Sequence, residues 1–240
     1  MNTLQPYRYN AKTHVGHRRK VNEDAVLALP DQGIWVVSDG MGGHSAGDYA
    51  SRLVTDSIAA ISRGLGPTQR MHALRDSIQN AHRIITHEAE SRGRGIIGAT
   101  VAALMMAEGH FVGIWAGDSR IYLLRDGEIE MVTTDHSAVA ELVLAGQMTW
   151  DEAEMHPNSN AITRAVGVGD ELELDKVRGE TMPGDRFLIC SDGLTKYATF
   201  DILKGMLTRH PLETVSDQLV QLALDGGGAD NISVIVIDVL

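Results

Sequence analysis

The chain has 240 residues, 43% of them hydrophobic and 22% charged, enough for one sizeable core. A net charge of −11 speaks against general affinity for nucleic acid or an anionic membrane; one cysteine, Cys190, excludes a disulfide framework and a cysteine-built zinc site. Residues 1–10 lack the apolar stretch of a signal peptide, and the longest apolar run, Val101 to Ala107, is too short to cross a bilayer, so no membrane insertion and a cytoplasmic location are expected.

Residues 6–13 alternate weakly and predict an edge strand. Next comes Gly16-His17-Arg18-Arg19-Lys20-Val21-Asn22-Glu23-Asp24, leading into a strand over 25–29. Two readings stay open for this run. It is either a salt-bridged surface loop, or a site in which Glu23 and Asp24 face a metal or its waters while an arginine holds phosphate with its planar fork.

Ile34 to Val37 predicts a buried strand ended by the glycines of Ser38-Asp39-Gly40-Met41-Gly42-Gly43-His44, which puts Asp39 at a strand end. A lone Asp-Gly more often marks a turn. Here related units recur at Gly117-Asp118-Ser119-Arg120, Ser191-Asp192-Gly193 and Ala229-Asp230-Asn231; Asp39, Asp118 and Asp192 follow apolar runs, and Asp230-Asn231 opens one. Strand ends along one sheet edge gather such aspartates, and hard oxygen ligands without cysteine suit Mg²⁺ or Mn²⁺.

Apolar spacing predicts a helix over about 45–62 and another from Pro67 with Met71, Leu74, Ile78, Ala81 and Ile85 on its inner face. His72, His82 and His87 are expected on or near the solvated side. Antiparallel strands are expected over 99–106, 110–116, 121–125 and 128–132, with Asp126-Gly127 as a hairpin turn and Asp118 in the tight link between the second and third. Helical pieces follow over 137–145 and from the capping box Thr149-Trp150-Asp151-Glu152, an insert that is a candidate lid or an ordinary connection. Strands at 171–177, 186–190 and 231–239 and helices at 200–208 and from Pro211 complete the chain. Two blocks of strands with helix pairs predict an α+β fold of stacked, mainly antiparallel sheets covered by helices.

In this order the units resemble the bacterial branch of the metal-dependent protein phosphatase 2C (PPM) family, over about residues 13–239. The likeness is carried by Gly16 with Arg19 and Asn22-Glu23-Asp24, by Ser38 to His44 with Ala50-Ser51, by Gly98-Ala99-Thr100 and by Gly117 to Arg120. It continues through Asp135-His136-Ser137, Gly146 to Thr149, His156-Pro157 and Asn160 to Gly167. Gly184-Asp185, Cys190 to Thr195 and Asp230 to Val234 complete it.

The resemblance implies an α/β/β/α sandwich forming one catalytic domain over 1–240, with a flap at about 135–165 and two ions of Mn²⁺ or Mg²⁺ in an end cleft. By position, Asp39 bridges the ions, Asp192 and Asp230 complete one, and Glu23 with the Gly40 carbonyl completes the other. Asp24 orders waters, and Asp118 with Asp192 matches a weaker third site. Arg19 is the phosphate-binding candidate, Arg18 a bystander, and Ser137 a substrate-binding candidate in the flap. The implied reaction is hydrolysis of phosphoserine and phosphothreonine by a hydroxide bridging the ions, with no phosphoenzyme and with a Ser/Thr kinase system, of secretion or envelope control, as the opposing partner.

Met41 stands where many eukaryotic relatives carry a histidine that protonates the leaving group, and it cannot do so; His44, which a structural role also fits, or a water is left for that task. A cysteine phosphatase would need Arg six residues after Cys190, and Lys196 stands there. A metal-dependent phosphodiesterase or nuclease, a catalytically dead phosphoprotein-binding module and a calcium-binding module are the rival classes. No His-rich ligand set or EF-hand loop supports the first or last, and an intact ligand set argues against the dead module.

Overall fold

The computed structural model describes residues 6–42, 46–91, 93 and 95–240. Two antiparallel sheets lie face to face. The first, sheet A, runs β1 (Tyr7–His14), β11 (Ile232–Val239), β10 (Arg186–Cys190), β7 (Arg120–Arg125), β8 (Glu128–Met131). The second, sheet B, runs β2 (Asp24–Leu29), β3 (Ile34–Met41), β5 (Val101–Ala107), β6 (His110–Ala116), β9 (Asp175–Glu180), with the short β4 (Gly98–Ala99) also on β3.

Side chains alternate across each strand, and the central strands are apolar on both faces. Trp35 and Val37 of β3 meet Ile235 and Ile237 of β11 in the layer between the sheets. Their neighbours Ile34 and Val36 face the other way, onto α1 (Ala46–Ala59) and α2 (Pro67–Ser91). Val234 and Val236 likewise pack against α6 (Phe200–Arg209) and α7 (Leu212–Asp225). The result is the expected helix–sheet–sheet–helix sandwich. Phe111 and Phe187 lock the sheets edge to face, with ring centroids 5.1 Å apart.

Four local expectations change. β3 does not stop at the glycine of Asp39-Gly40: Gly40 and Met41 pair with Ala99 and Gly98, so the ladder continues and Asp39 lies within the strand. Strands β6 and β7 are not a hairpin. β6 belongs to sheet B and β7 to sheet A, so the link 117–119 carries the chain, and Asp118 with it, from one sheet to the other. Gly117 makes the turn at φ +108°, where a Cβ would lie 2.6 Å from Thr100 Cγ2.

The strand expected at 171–177 forms instead as Asp175–Glu180, because its partner is β6 and the register opposes Trp115 to Asp175. His82, expected toward solvent, is 2% exposed; its Nδ1 accepts the backbone N–H of Gly167 at 2.9 Å. His72 and His87 do face water.

Between β8 and β9 lies the helical insert, with α3 (Ala140–Leu144) and α4 (Trp150–Glu154). The capping box at Thr149 is formed: Thr149 Oγ1 accepts from Glu152 N, and Thr149 N donates to the Glu152 carboxylate.

Candidate active site

The strand ends that the Asp-containing units occupy lie at the same end of both sheets. Asp24 opens β2 and is paired in register with Asp39. Asp118 sits in the sheet-crossing link, Asp192 opens the short α5 (Asp192–Thr195) directly after β10, and Asp230 stands just before β11. Together with Arg19, Glu23, Gly40, Met41, Asn160 and Lys196, the acids Asp39, Asp118, Asp192 and Asp230 line a cleft of about 270 Å³.

Polar side chains from both sheets fix these strand ends. Thr100 Oγ1 accepts from Asp39 N at 2.9 Å and pairs with Ser119 Oγ at 2.6 Å, tying the Asp39 strand to the Asp118 link. Ser191 Oγ donates to Asp24 Oδ2 at 2.8 Å and accepts from Ser233 N at 3.0 Å, joining sheet B to sheet A behind the cleft. Asn231 makes the most connections: Oδ1 accepts from Glu23 N at 2.8 Å, while Nδ2 donates to the carbonyls of Val15 at 2.9 Å and Val21 at 3.0 Å. It thereby closes the 16–20 loop and sets Glu23 at once.

The electrostatics are those of crowded carboxylates. Burial, followed by the charges of Asp24, Asp192, Asp118 and Asp230, holds Asp39 well above the usual carboxylate range. Burial and then Asp192 and Asp135 do the same to Asp118. Asp24 is pushed up to about 7, mainly by burial, although hydrogen bonds from Ser233 and Ser191 oppose the shift. Glu23 is raised by burial against the pull of Arg19. Asp230 goes the other way. Burial works against its charge, but its bonds to Arg19 and the charge of Lys196 hold it low.

Two cations already answer part of this charge. The Arg19 guanidinium grips both oxygens of Asp230, Nε to Oδ1 and Nη2 to Oδ2 each at 2.9 Å. Lys196 Nζ lies 2.7 Å from Asp192 Oδ2 and 3.4 Å from Asp230 Oδ2; burial disfavours its charge, yet these neighbours more than compensate and raise its pKa.

Among the described residues, no three His, Cys, Asp or Glu side chains stand ready as a closed cage around one point. The residues nonetheless fit a hard divalent ion. Every cleft acid offers oxygen alone, Asp192 Oδ1 and Asp24 Oδ1 are buried without a partner, and Asp39 and Asp118 are pushed toward protonation by burial and then by neighbouring charge.

The expected site residues are not all placed alike. Arg19, Glu23, Asp39, Gly40, Asp118, Asp192 and Asp230 share the cleft wall. Asp24 stands behind it, 6% exposed. Ser137 is 4% exposed with its hydroxyl buried, and it is not on the cleft wall; the residues of the 135–165 insert there are Asn160 and Ile162. Gly43 and His44 lie outside the described residues. Met41 lines the cleft and offers no proton.

Sequence reasoning missed Lys196, whose spacing four residues after Asp192 on a helix was a usable signal. It also missed the buried Arg120–Asp135 pair, bidentate with contacts of 2.6 to 3.1 Å, and Glu154, which no local pattern announces. Cys190 is fully buried and its thiol pKa is pushed up by that burial, so it is no nucleophile. A larger cleft of about 690 Å³, around Arg186, Arg209 and His210, gathers none of the clustered acids.

A model of protein phosphatase 2C matches residues 13–226. The serine/threonine protein phosphatase PstP of Mycobacterium tuberculosis is 35% identical over 235 residues, covering 97% of this chain and 45% of its own length. The chain thus spans about half of that relative. The protein phosphatase PhpP of Streptococcus pneumoniae is 35% identical over 236 residues, with 94% of each chain covered. Among solved structures, PppA of Pseudomonas aeruginosa, described as a key regulatory component of the T6SS, superposes with a TM-score of 0.91 at 40% identity, covering 98% of both chains. The PstP catalytic domain in complex with two manganese ions superposes with a TM-score of 0.88 at 34% identity, again over 98% of both chains.

Proposed function

Since the chain belongs to the protein phosphatase 2C family of metal-dependent serine/threonine protein phosphatases, we propose that this cleft removes phosphate from phosphoserine and phosphothreonine in proteins marked by a bacterial Ser/Thr kinase. The observation that carries the proposal is the convergence of Glu23, Asp39, Asp118, Asp192 and Asp230 on one cleft with Arg19 on its wall. A hard-ion site beside a forked guanidinium is the chemistry a phosphoryl group needs.

Glu23, Asp39, the Gly40 carbonyl, Asp192 and Asp230 would hold two ions of Mn²⁺ or Mg²⁺, with Asp39 common to both, and the ions would supply Lewis acidity and lower the pKa of water when bound. Asp118 with Asp192 would hold a further ion. Arg19 binds two phosphoryl oxygens with the fork that now holds the Asp230 carboxylate, and its charge, favoured first by its hydrogen bond to Asp230 and then by the charges of Asp230, Glu23 and Asp39, persists at every working pH. Asp24, with one oxygen held by Ser191 and the other unpartnered, accepts a proton or hydrogen bond from behind Asp39. The insert over 135–165 is the flap, presenting Asn160 and Ile162 to the substrate side.

The likeness to PppA, described as a regulatory component of the T6SS, supports a role in the control of a secretion machine. The charge of −11 gives no support to nucleic-acid partners, and among the described residues no helix is long and apolar enough to cross a membrane.

The test is hydrolysis of a phosphothreonine peptide with Mn²⁺, with Mg²⁺ and with EDTA, beside Asp192→Asn. Turnover that needs the metal and fails in the variant is expected. A folded, metal-loaded protein that binds the peptide without releasing phosphate would make it a phosphoprotein-binding module.

A further inference from the structure

We propose that Arg18 and Lys20 form a cationic rim that selects phosphoprotein segments with acidic side chains beside the phosphorylated residue. This deepens, and rests on, the phosphatase reading of the cleft. The run 17–20 carries three successive cations in a chain of net charge −11. Only Arg19 is used by the cleft, on Asp230.

Its two neighbours are exposed, and among the described residues neither forms an ion pair or hydrogen bond. The loop's one ion pair among the described residues is Arg19 with Asp230, and none joins its cations to Glu23 or Asp24. Asp24 is buried against Ser191, and Glu23 packs beside Gly47 with its backbone N–H on Asn231. Several other cations are paired: Arg120 with Asp135, Arg125 with Asp185, Arg186 with Asp238.

The rim is held in place. Asn231 clamps the carbonyls of Val15 and Val21 at the two ends of the loop, and His17 N donates to Gly228 O at 2.7 Å. Successive Cα atoms are about 3.8 Å apart, so the backbone positions of two free cations stand one residue to each side of Arg19. A phosphorylated side chain gripped by Arg19 brings its own sequence neighbours to that spacing. An acidic segment meets general repulsion from the molecule and local attraction beside the cleft, which makes the rim a filter for where such a segment docks. Two free cations fall short of the four to eight that bind anionic lipid.

The experiment compares two phosphothreonine peptides of equal length on the Mn²⁺-loaded protein, one with Asp and Glu beside the phosphoresidue and one with Asn and Gln there. It repeats the comparison on the Arg18→Gln/Lys20→Gln double variant, with p-nitrophenyl phosphate as the small substrate. Exposed charge pairs predict a preference of about five- to tenfold in kcat/KM for the acidic peptide, carried by KM and reduced by added salt. The double variant loses the preference and keeps its rate on p-nitrophenyl phosphate.

Equal kcat/KM for both peptides in the unaltered protein, or a preference that survives the double substitution, overturns the rim while leaving the phosphatase reading intact. Absence of turnover on either peptide overturns both. Capture on phosphatidylserine vesicles that the double variant abolishes, without any peptide preference, assigns the rim to a membrane surface and overturns the peptide filter.

Discussion

Arg120 and Glu154 meet at 2.8 Å, joining the start of β7 to the end of α4 and hence the cleft end of sheet A to the helical insert. Both side chains are nearly buried, Arg120 also holds Asp135 at 2.6 Å, and its guanidinium lies 5.4 Å from the Trp150 ring centroid. The two ends of this network are unequal. Glu154→Gln keeps an acceptor and leaves Arg120 paired with Asp135, so a loss of about 1–2 kcal/mol is expected. Arg120→Met strands two buried carboxylates, for which about 3–5 kcal/mol is expected. Urea unfolding of the two variants checks this, and equal losses would show that the pair does not tie the flap.

Gly16 opens the loop that carries Arg19. Its φ is +78°, and a Cβ there would stand 2.1 Å from the carbonyl oxygen of Asp230. Gly64 has a similar φ of +82° with nothing within 4 Å, so it isolates the backbone cost alone. Gly64→Ala is expected to cost about 1 kcal/mol. Gly16→Ala adds displacement of the Asp230 loop, with a total of about 2–4 kcal/mol and a fall in kcat/KM, because Arg19 and Asp230 both depend on that contact. Thermal unfolding and peptide hydrolysis on the two variants separate strain from displacement; matching behaviour would place no demand on Gly16 beyond its φ.

Mn²⁺ is expected to stabilise the fold through the acids that repel one another. Saturation at about 100 times Kd gives about 2.7 kcal/mol, which for a domain of this size is a rise of about 5–10 °C in Tm. Asp39→Asn removes a buried charge already disfavoured by burial and by Asp24, Asp192, Asp118 and Asp230. That variant is expected to be at least as stable as the unaltered chain without metal, and to lose most of the rise. Melting curves over an MnCl₂ series, with NaCl as the ionic-strength control, make the measurement. An undiminished rise in the variant would move the ions away from Asp39.

The layered fold was legible because β3, β10 and β11 are apolar on both faces and the helices keep a one-sided apolar spacing. The acids were legible as well, since each stands in a short unit at or beside a strand end. What periodicity could not carry was non-local. No feature of residues 117–119 says that β6 and β7 belong to different sheets, because a hairpin and a sheet crossing of that length read alike. The strand shift from 171–177 to Asp175–Glu180 was set by β6 across the sheet, which alternation within the segment cannot register. Arg120, Asp135 and Glu154 come together from three elements, and His82 was misjudged because the turn at Gly167 covers what its own helix leaves polar. Contacts with distant parts of the chain override local pattern in each case.

That buried His82 also sets a pH dependence. Its Nδ1 accepts from Gly167 N at 2.9 Å, which requires the neutral ring, and Nε2 is buried without a hydrogen-bond partner. Burial lowers its pKa, against an opposing contribution from the Asp170 backbone. The unfolded chain, with a histidine pKa of about 6.5, therefore takes up the proton first as pH falls. His82 accordingly contributes stability that is present above about pH 6.5 and declines as pH drops from there toward its lower folded value, with a slope of at most about 1.4 kcal/mol per pH unit. His136, also lowered chiefly by burial, adds a decline in the same direction, so the informative quantity is a difference. His82→Gln is expected to be less stable than the unaltered chain near pH 7.5, with the gap narrowing by pH 5.5. Urea unfolding at about pH 7.5, 6.5 and 5.5 gives that gap directly; a constant gap across the series would mean that His82 stays uncharged in both states or charges equally in both.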